Sequence, residues 1–352
     1  MTRFFIDENG GSAYRQLYAQ LKDAIAADVY PPGSKLPSKR TLAADLGVSV
    51  ITVEHALALL ADEGWVEPRE RSGVFVLGRG AALPVMRAAL EEMSLPTSVP
   101  EDFPFNALAR IMRRTLAEKG ERILAKSPPL GTFELRGAIR RYLARSRALD
   151  VDEEQILIGS GAEALYSLVV QLLGRDTVFA LEDPCWEKIR RAYEANGARC
   201  VALGMDAGGI TQRALDGCRA GALHVTPYHS YPSGITASAE RRAAYASWAE
   251  ARGAWLIEDD YDAELAAPRG RIETLVSLLP ERTLYLSTFS KTVAPSFRTG
   301  YLVLPAALME RYRAELGFYS CSVPVYDQYV LAEFIDSGEL ERSLSRRKKK
   351  KK

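Results

Sequence analysis

Ser287-Thr-Phe-Ser-Lys-Thr292 sets a lysine among hydroxyls just after the apolar run Thr283–Leu286, which reads as a buried strand. Arg298 follows seven residues after Lys291, and a second apolar run covers Gly300–Leu304. A lysine amine at a strand end can condense with an aldehyde, while hydroxyls and a guanidinium suit a phosphate. Pyridoxal 5'-phosphate (PLP) carries both groups, which makes Lys291 the candidate Schiff-base lysine.

Four further segments offer what that chemistry needs. Ile158-Gly-Ser-Gly-Ala-Glu-Ala-Leu165 lies between a strand and a helix, where free amides can face a phosphate, although such turns are common without one. Glu182-Asp-Pro-Cys-Trp186 follows the next strand and offers an indole to stack on a pyridine ring; a core or interface tryptophan is the plainer alternative. Trp255-Leu-Ile-Glu-Asp-Asp-Tyr-Asp262 ends a strand with four acids in five positions, costly to bury without partners. Asp259 can keep a pyridine nitrogen protonated, and Tyr261 can donate to the ring's phenolic oxygen. Mg²⁺ ligation is the competing use of such acids, and Lys291 thirty-two residues beyond Asp259 disfavours it. His224-Val-Thr-Pro-Tyr-His-Ser-Tyr-Pro-Ser-Gly234 joins a strand to a Pro/Gly-shaped loop that can line a site; its His229 fits a hydrogen-bonded loop residue as well as a cofactor contact.

Strands and helices must alternate to place these segments together. The apolar runs Gln155–Ile158, Thr177–Leu181, Arg199–Leu203, Ala222–Val225, Trp255–Ile257, Thr283–Leu286 and Gly300–Leu304 read as strands, with helical patterns such as Ala162–Leu173 and Ala239–Arg252 between them. This predicts an α/β domain over residues 105–345 with a mostly parallel, seven-stranded sheet in three layers. Residues 78–104 are rich in Pro and Gly and read as a linker with one helix near 85–93.

Residues 12–77 form a separate pattern. Tyr14, Leu17, Leu21 and Ile25 recur at helical spacing, and Tyr30-Pro-Pro-Gly33 ends that helix. Ser38 is an N-cap candidate for a helix to Leu46, and Ser49 for a helix over Val50–Glu63, with the turn Gly47-Val48 between them. That is a helix-turn-helix, followed by a two-stranded wing with Arg69 and Arg71 near its tip. Its expected DNA-facing residues are Lys35, Ser38, Lys39, Arg40, Ser49, Thr52, Arg69, Arg71 and Gly73. Eight Lys/Arg against ten Asp/Glu in residues 1–77 leave no general basic bias. A helix pair used for protein contacts is the blander reading.

The segments 31–40, 42–49, Thr52-Val53, Leu60–Trp65 and Ser72-Gly73 resemble, in order, the winged helix of the GntR family. Val50 stands where that family usually has an arginine. Residues 105–345 resemble fold-type-I aminotransferases. The motifs Thr226-Pro-x-His-x-Tyr-Pro-Ser-Gly234, Glu258-Asp-Asp-Tyr-Asp262 and Thr288-Phe-Ser-Lys-Thr292 resemble the MocR/GabR group, bacterial regulators that fuse the two parts. The resemblance implies Lys291 as the PLP lysine, Asp259 at the ring nitrogen and Tyr261 at the phenolic oxygen. It also implies Trp186 stacked on the ring, and Ser160, Gly161, Ala162, Thr288, Ser290 and Arg298 around the phosphate. A homodimer on operator DNA, with an amino acid or amine as effector, is implied likewise. Two departures stand out. Ala125-Lys-Ser-Pro-Pro-Leu-Gly131 lacks the tyrosine of the family's Tyr-Gly-Asp-Pro-type segment. The family also continues beyond residue 352, so the small C-terminal domain with its carboxylate-gripping arginine is expected to be missing.

Composition sets the frame. The formal charge of +1 hides eight cations within residues 342–352, a basic tail (346–352) whose five lysines are expected to stay disordered. There is no run of ~18 apolar residues and no signal-peptide pattern, and the four cysteines have neither metal nor disulfide spacing, so a reducing cytoplasm is expected. No metal is expected. The fused winged helix favours a PLP-dependent regulator; the alternative is an aminotransferase acting on an amino acid or amine.

Overall fold

The computed structural model describes residues 4–7, 11–69, 72–77, 103–266 and 273–350. Residues 78–102 of the expected linker, with its helix near 85–93, and Arg71 lie outside the described residues. Those that are described fall into two compact units, before and after the stretch 78–102.

In the N-terminal unit, α1 (Ala13–Ala26) buries Leu17, Tyr18, Leu21, Ala24 and Ile25, and packs on α3 (Val50–Asp62). The helix ends at Ala26, four residues before Tyr30, because Asp28 takes a left-handed φ of 60°. Ser38 caps α2 (Lys39–Leu46) by accepting from the Thr41 N–H, and Ser49 caps α3 by accepting from the Thr52 N–H. Gly47 closes α2 at φ 66°, and α2 and α3 meet at 120°. The antiparallel wing β1 (Val66–Arg69) and β2 (Gly73–Val76) follows, with Val66 opposite Val76 and Arg69 opposite Gly73.

The second unit begins with α4 (Phe105–Lys119) and α5 (Phe133–Arg147). Strand β3 (Ile156–Gly159) leads to α6 (Ala162–Leu173), and β4 (Val178–Asp183) to α7 (Glu187–Ala195). Strands β5 (Arg199–Asp206) and β6 (Gly209–Ile210), α8 (Gln212–Gly217) and β7 (Ala222–Val225) come next. Then come α9 (Ala239–Arg252), β8 (Trp255–Asp260), α10 (Ala263–Ala266), α11 (Leu275–Leu278) and β9 (Thr283–Thr288). Strand β10 (Gly300–Val303), α12 (Ala306–Arg311), α13 (Val325–Asp336) and α14 (Glu339–Lys350) complete it.

The sheet order is β3-β10-β9-β8-β7-β4-β5-β6. Strands β5, β4, β7, β8 and β9 run parallel, whereas β10 is antiparallel to both β9 and β3. All seven expected strands are present, and the two-residue β6, too short to leave a pattern in sequence, makes an eighth. Apolar cores fill both faces: Leu165, Tyr166, Val169, Ile257 and Leu286 on one, and Leu223, Val225, Trp248, Leu256 and Leu275 on the other. The carboxyl ends of β3, β4, β7, β8 and β9 therefore share one edge, where α/β sheets place ligands.

The lysine run differs from expectation. Helix α14 continues through Lys350, because Leu340, Ser343 and Leu344 are buried along it. Arg347 adds hydrogen bonds of 3.0 and 3.3 Å to the carbonyls of Lys291 and Thr292. Among the described residues, no single helix is long and apolar enough to cross a membrane.

Candidate functional site

Lys291 leaves the end of β9 with its Nζ 2.6 Å from Asp262 Oδ2 and 4.4 Å above the Tyr261 ring. His229, held at φ 56° in the loop after β7, brings Nδ1 within 3.1 Å of the same Asp262 oxygen. The Tyr261 hydroxyl donates to the His229 carbonyl at 2.9 Å. Asp262 is almost wholly buried. Burial favours its protonated form, but the hydrogen bonds from His229 and Lys291 outweigh that and hold it below the usual carboxylate range. Burial and the Asp262 charge push the Tyr261 hydroxyl well up, so it remains a donor.

Asp259, within β8, has a separate set of partners. Its Oδ2 accepts a short hydrogen bond from Tyr166 of α6, and His224 Nε2 lies 3.4 Å away. The Tyr193 hydroxyl and His224 Nδ1 are 2.8 Å apart, fixing that ring. Burial, then the Asp259 charge, drives the Tyr166 hydroxyl well above its ordinary value. Asp259 Oδ1 is buried and has no hydrogen-bond partner among the described residues. An unmet buried acceptor on a carboxylate costs free energy unless a donor arrives.

A third cluster forms at the start of α6. Gly161 is its N-cap at φ 87°, without a side-chain cap, and Ala162 opens the helix. A Cβ at Gly161 would stand 2.7 Å from Arg298 Nη2, so only glycine lets the guanidinium lie against this helix end. Arg298 Nη2 is 2.6 Å from Glu163 Oε2, and Lys188 pairs closely with Glu163 Oε1. Ser160 accepts from the Ser322 hydroxyl at 2.9 Å, and Ser290 donates to the Phe297 carbonyl at 3.1 Å. Thr288, the last residue of β9, is buried with its Cγ2 beside Gly300. Trp186 meets Tyr231 edge-on at 6.4 Å, with Lys188 Nζ 5.3 Å from its ring centre.

Lys291, Tyr261 and His229 thus come together around Asp262, which the sequence reading passed over. Tyr166, His224, Glu163 and Lys188 were missed as well. Strand alternation does not mark Asp262, which lies past the end of β8, but it sorts the acids before it. Glu258 accepts from the Leu275 and Val276 N–H groups, and Asp260 pairs with Arg147 at 2.7 Å. Both support the face opposite Asp259, so half of the acidic burst is structural.

On the N-terminal unit, Lys35, Ser38, Lys39, Arg40, Ser49, Arg69 and Gly73 are exposed and Thr52 is half-buried. Lys39 pairs with Glu54 at 2.9 Å, and Arg69 pairs with Glu67 at 2.9 Å while lying 4.5 Å over Phe75. Exposed pairs of this kind are weak and can give way to phosphates. Val50 and Ile51, 40% and 75% exposed, occupy the first turn of the second helix.

Residues 13–76 match the family of bacterial regulatory proteins, gntR family. An HTH-type transcriptional regulator of Bacillus subtilis, YdeL, is 31% identical over 96% of this chain and 76% of its own length. The HTH-type pyridoxine biosynthesis transcriptional regulator PdxR of Corynebacterium glutamicum is 32% identical over 94% of this chain and 74% of its own. Among solved structures, an archaeal alanine:glyoxylate aminotransferase overlays with a TM-score of 0.63 at 23% identity, covering 70% of this chain. That likeness shows the fold, and this chain spans 65% of that enzyme's length. The chain belongs to the MocR/GabR-type transcriptional regulators, which join a gntR-family winged helix to a fold-type-I aminotransferase-like unit.

Proposed function

We propose that this regulator binds operator DNA as a homodimer through its winged helices and senses PLP, or PLP joined to an amino compound, through its second unit. One observation carries the cofactor part: Asp259 Oδ1 is buried with no hydrogen-bond partner among the described residues, near the carboxyl end of β8, beside β9 whose end leads to Lys291. A pyridinium N–H would satisfy that oxygen, and the residues around it fit the rest of the group. Arg298 with the Gly161–Ala162 turn would take the phosphate, helped by Ser160, Thr288 and Ser290. Trp186 would lie against the ring, and Tyr261 and His229 would border its phenolic oxygen.

When bound, PLP supplies an amine-reactive aldehyde and a ring that takes up electrons. The protein contributes position and protons. Asp259 keeps a proton at the ring nitrogen, Tyr166 fixes the Asp259 carboxylate, and Asp262 orients the Lys291 amine. Asp262, 2.6 Å from the Lys291 Nζ, would hold that amine whenever it is free. A charge gained or lost at this pair is a local change that can bias how a dimer holds its DNA-binding units.

The test joins two readings. PLP added to the protein should give a visible absorbance band that borohydride fixes to Lys291, and Lys291→Ala should show neither. A fragment from the gene's own upstream region should bind in a gel shift with an affinity that PLP or an amine alters. No specific shift at low salt would defeat the regulator reading. Amine turnover at rates on the order of 1–10³ s⁻¹ would favour an enzyme instead.

A further inference from the structure

Glu163 lies at the second position of α6, beside the place proposed for the phosphate. Three features hold its carboxylate there. The N-terminus of a twelve-residue helix favours an anion. Lys188 pairs with Oε1, and Arg298 reaches Oε2 at 2.6 Å. Burial alone would raise its pKa, yet the Lys188 hydrogen bond and the Arg298 charge lower it to about 2, so it stays ionised at any cellular pH. The cation that should meet the phosphate therefore already has an anion of its own.

We infer that Glu163 is a built-in competitor for the phosphate of PLP: it holds Arg298 until a phosphate displaces it, and so keeps PLP an exchangeable ligand. The inference rests on the cofactor reading above. Lys188 makes the exchange workable, because Glu163 retains one cation partner after Arg298 turns to the phosphate. An enzyme that carries PLP permanently gains nothing from such a carboxylate, whereas a sensor must release its ligand when the free concentration falls. Uncharged glutamine of the same shape would leave Arg298 free and keep the helix intact.

The experiment titrates PLP, and separately pyridoxal, which lacks the phosphate, against the parent protein and Glu163→Gln, following the visible band. The expected result is PLP binding about tenfold tighter in the variant, or about 1.4 kcal/mol, with pyridoxal unchanged. The inhibition constant of inorganic phosphate should fall alike in the variant. Equal PLP affinities, or a gain shared by pyridoxal, would overturn the inference while leaving the cofactor reading intact. The gain should shrink in an Arg298→Met background, and a gain of the same size there would also overturn it. If neither ligand gives a band that borohydride fixes at Lys291, the cofactor reading itself fails.

Discussion

Replacing Asp259 with asparagine should separate stability from ligand binding. In the unliganded protein the carboxylate has one oxygen held by Tyr166 and one with no partner among the described residues. An unmet buried polar atom costs roughly 1–3 kcal/mol, more when charged. Asparagine still accepts from Tyr166 and carries no charge, so the unliganded variant should be at least as stable as the parent. With PLP the order reverses. A charge-assisted hydrogen bond contributes about 1.5–3 kcal/mol, and losing about 2 kcal/mol weakens binding roughly thirtyfold. At PLP a hundredfold above the parent's Kd, the parent gains about 2.7 kcal/mol and the variant only about 0.9. Thermal unfolding with and without PLP reads both arms. The ligand-induced rise in Tm should fall by several degrees at the scale of about 2–4 °C per kcal/mol. An undiminished rise, or an unliganded variant clearly less stable than the parent, would refute the role given to Asp259.

Other perturbations test the remaining structure. Glu182 and Glu258, each buried, have their pKa pushed from 4.5 to about 8 chiefly by burial. Between those values the folded protein holds protons that the unfolded chain has lost, so stability should fall as pH rises from about 5 to 8. Glu182→Gln should flatten that decline by up to about 1.4 kcal/mol per pH unit, and parallel urea curves for the two proteins would contradict it. Arg147 bridges Asp260 at 2.7 Å and Glu264 at 2.9 Å in the core. Arg147→Met should cost about 3–5 kcal/mol in denaturant unfolding, with the deficit narrowing at acid pH as the stranded carboxyls take up protons. Ile51→Ala should weaken operator binding by about 1 kcal/mol or more if the side chain meets a thymine methyl. Replacing that thymine by uracil should then weaken the parent alike and the variant hardly at all.

Local rules carried much of the fold. Ser38 and Ser49 announce the starts of α2 and α3, because capping needs only the three residues that follow. The strands were readable because six of the seven have fully buried cores or nearly so, and buried strands are apolar runs. Partners distant in the chain were not readable. That Asp262 neighbours Lys291 depends on where the chain bends after β8. The harmlessness of Asp260 depends on Arg147, 113 residues earlier. The stretch from residue 346 reads as a solvated basic tail, because nothing local shows that Arg347 reaches the carbonyls of Lys291 and Thr292.

The acidic burst shows why the site can be preorganised. Strand geometry sends Glu258 and Asp260 to one face of the sheet and Asp259 to the other. On the first face, the Leu275 and Val276 amides and Arg147, with Tyr285 donating to Asp260, fasten the strand by bonds that involve no ligand. Asp259 is thereby fixed from behind as well as by Tyr166. Asp262, at the turn where the strand ends, meets the Lys291 amine and the His229 ring, side chains from two other segments. A fixed carboxylate suits the ring nitrogen, which must be met at one position. An exchangeable one suits the lysine, whose partner must change when an amine replaces it. Neutralising Arg147 should therefore loosen Asp259 and lower PLP affinity without touching the ligand, whereas neutralising Asp262 should alter how readily an amine displaces Lys291.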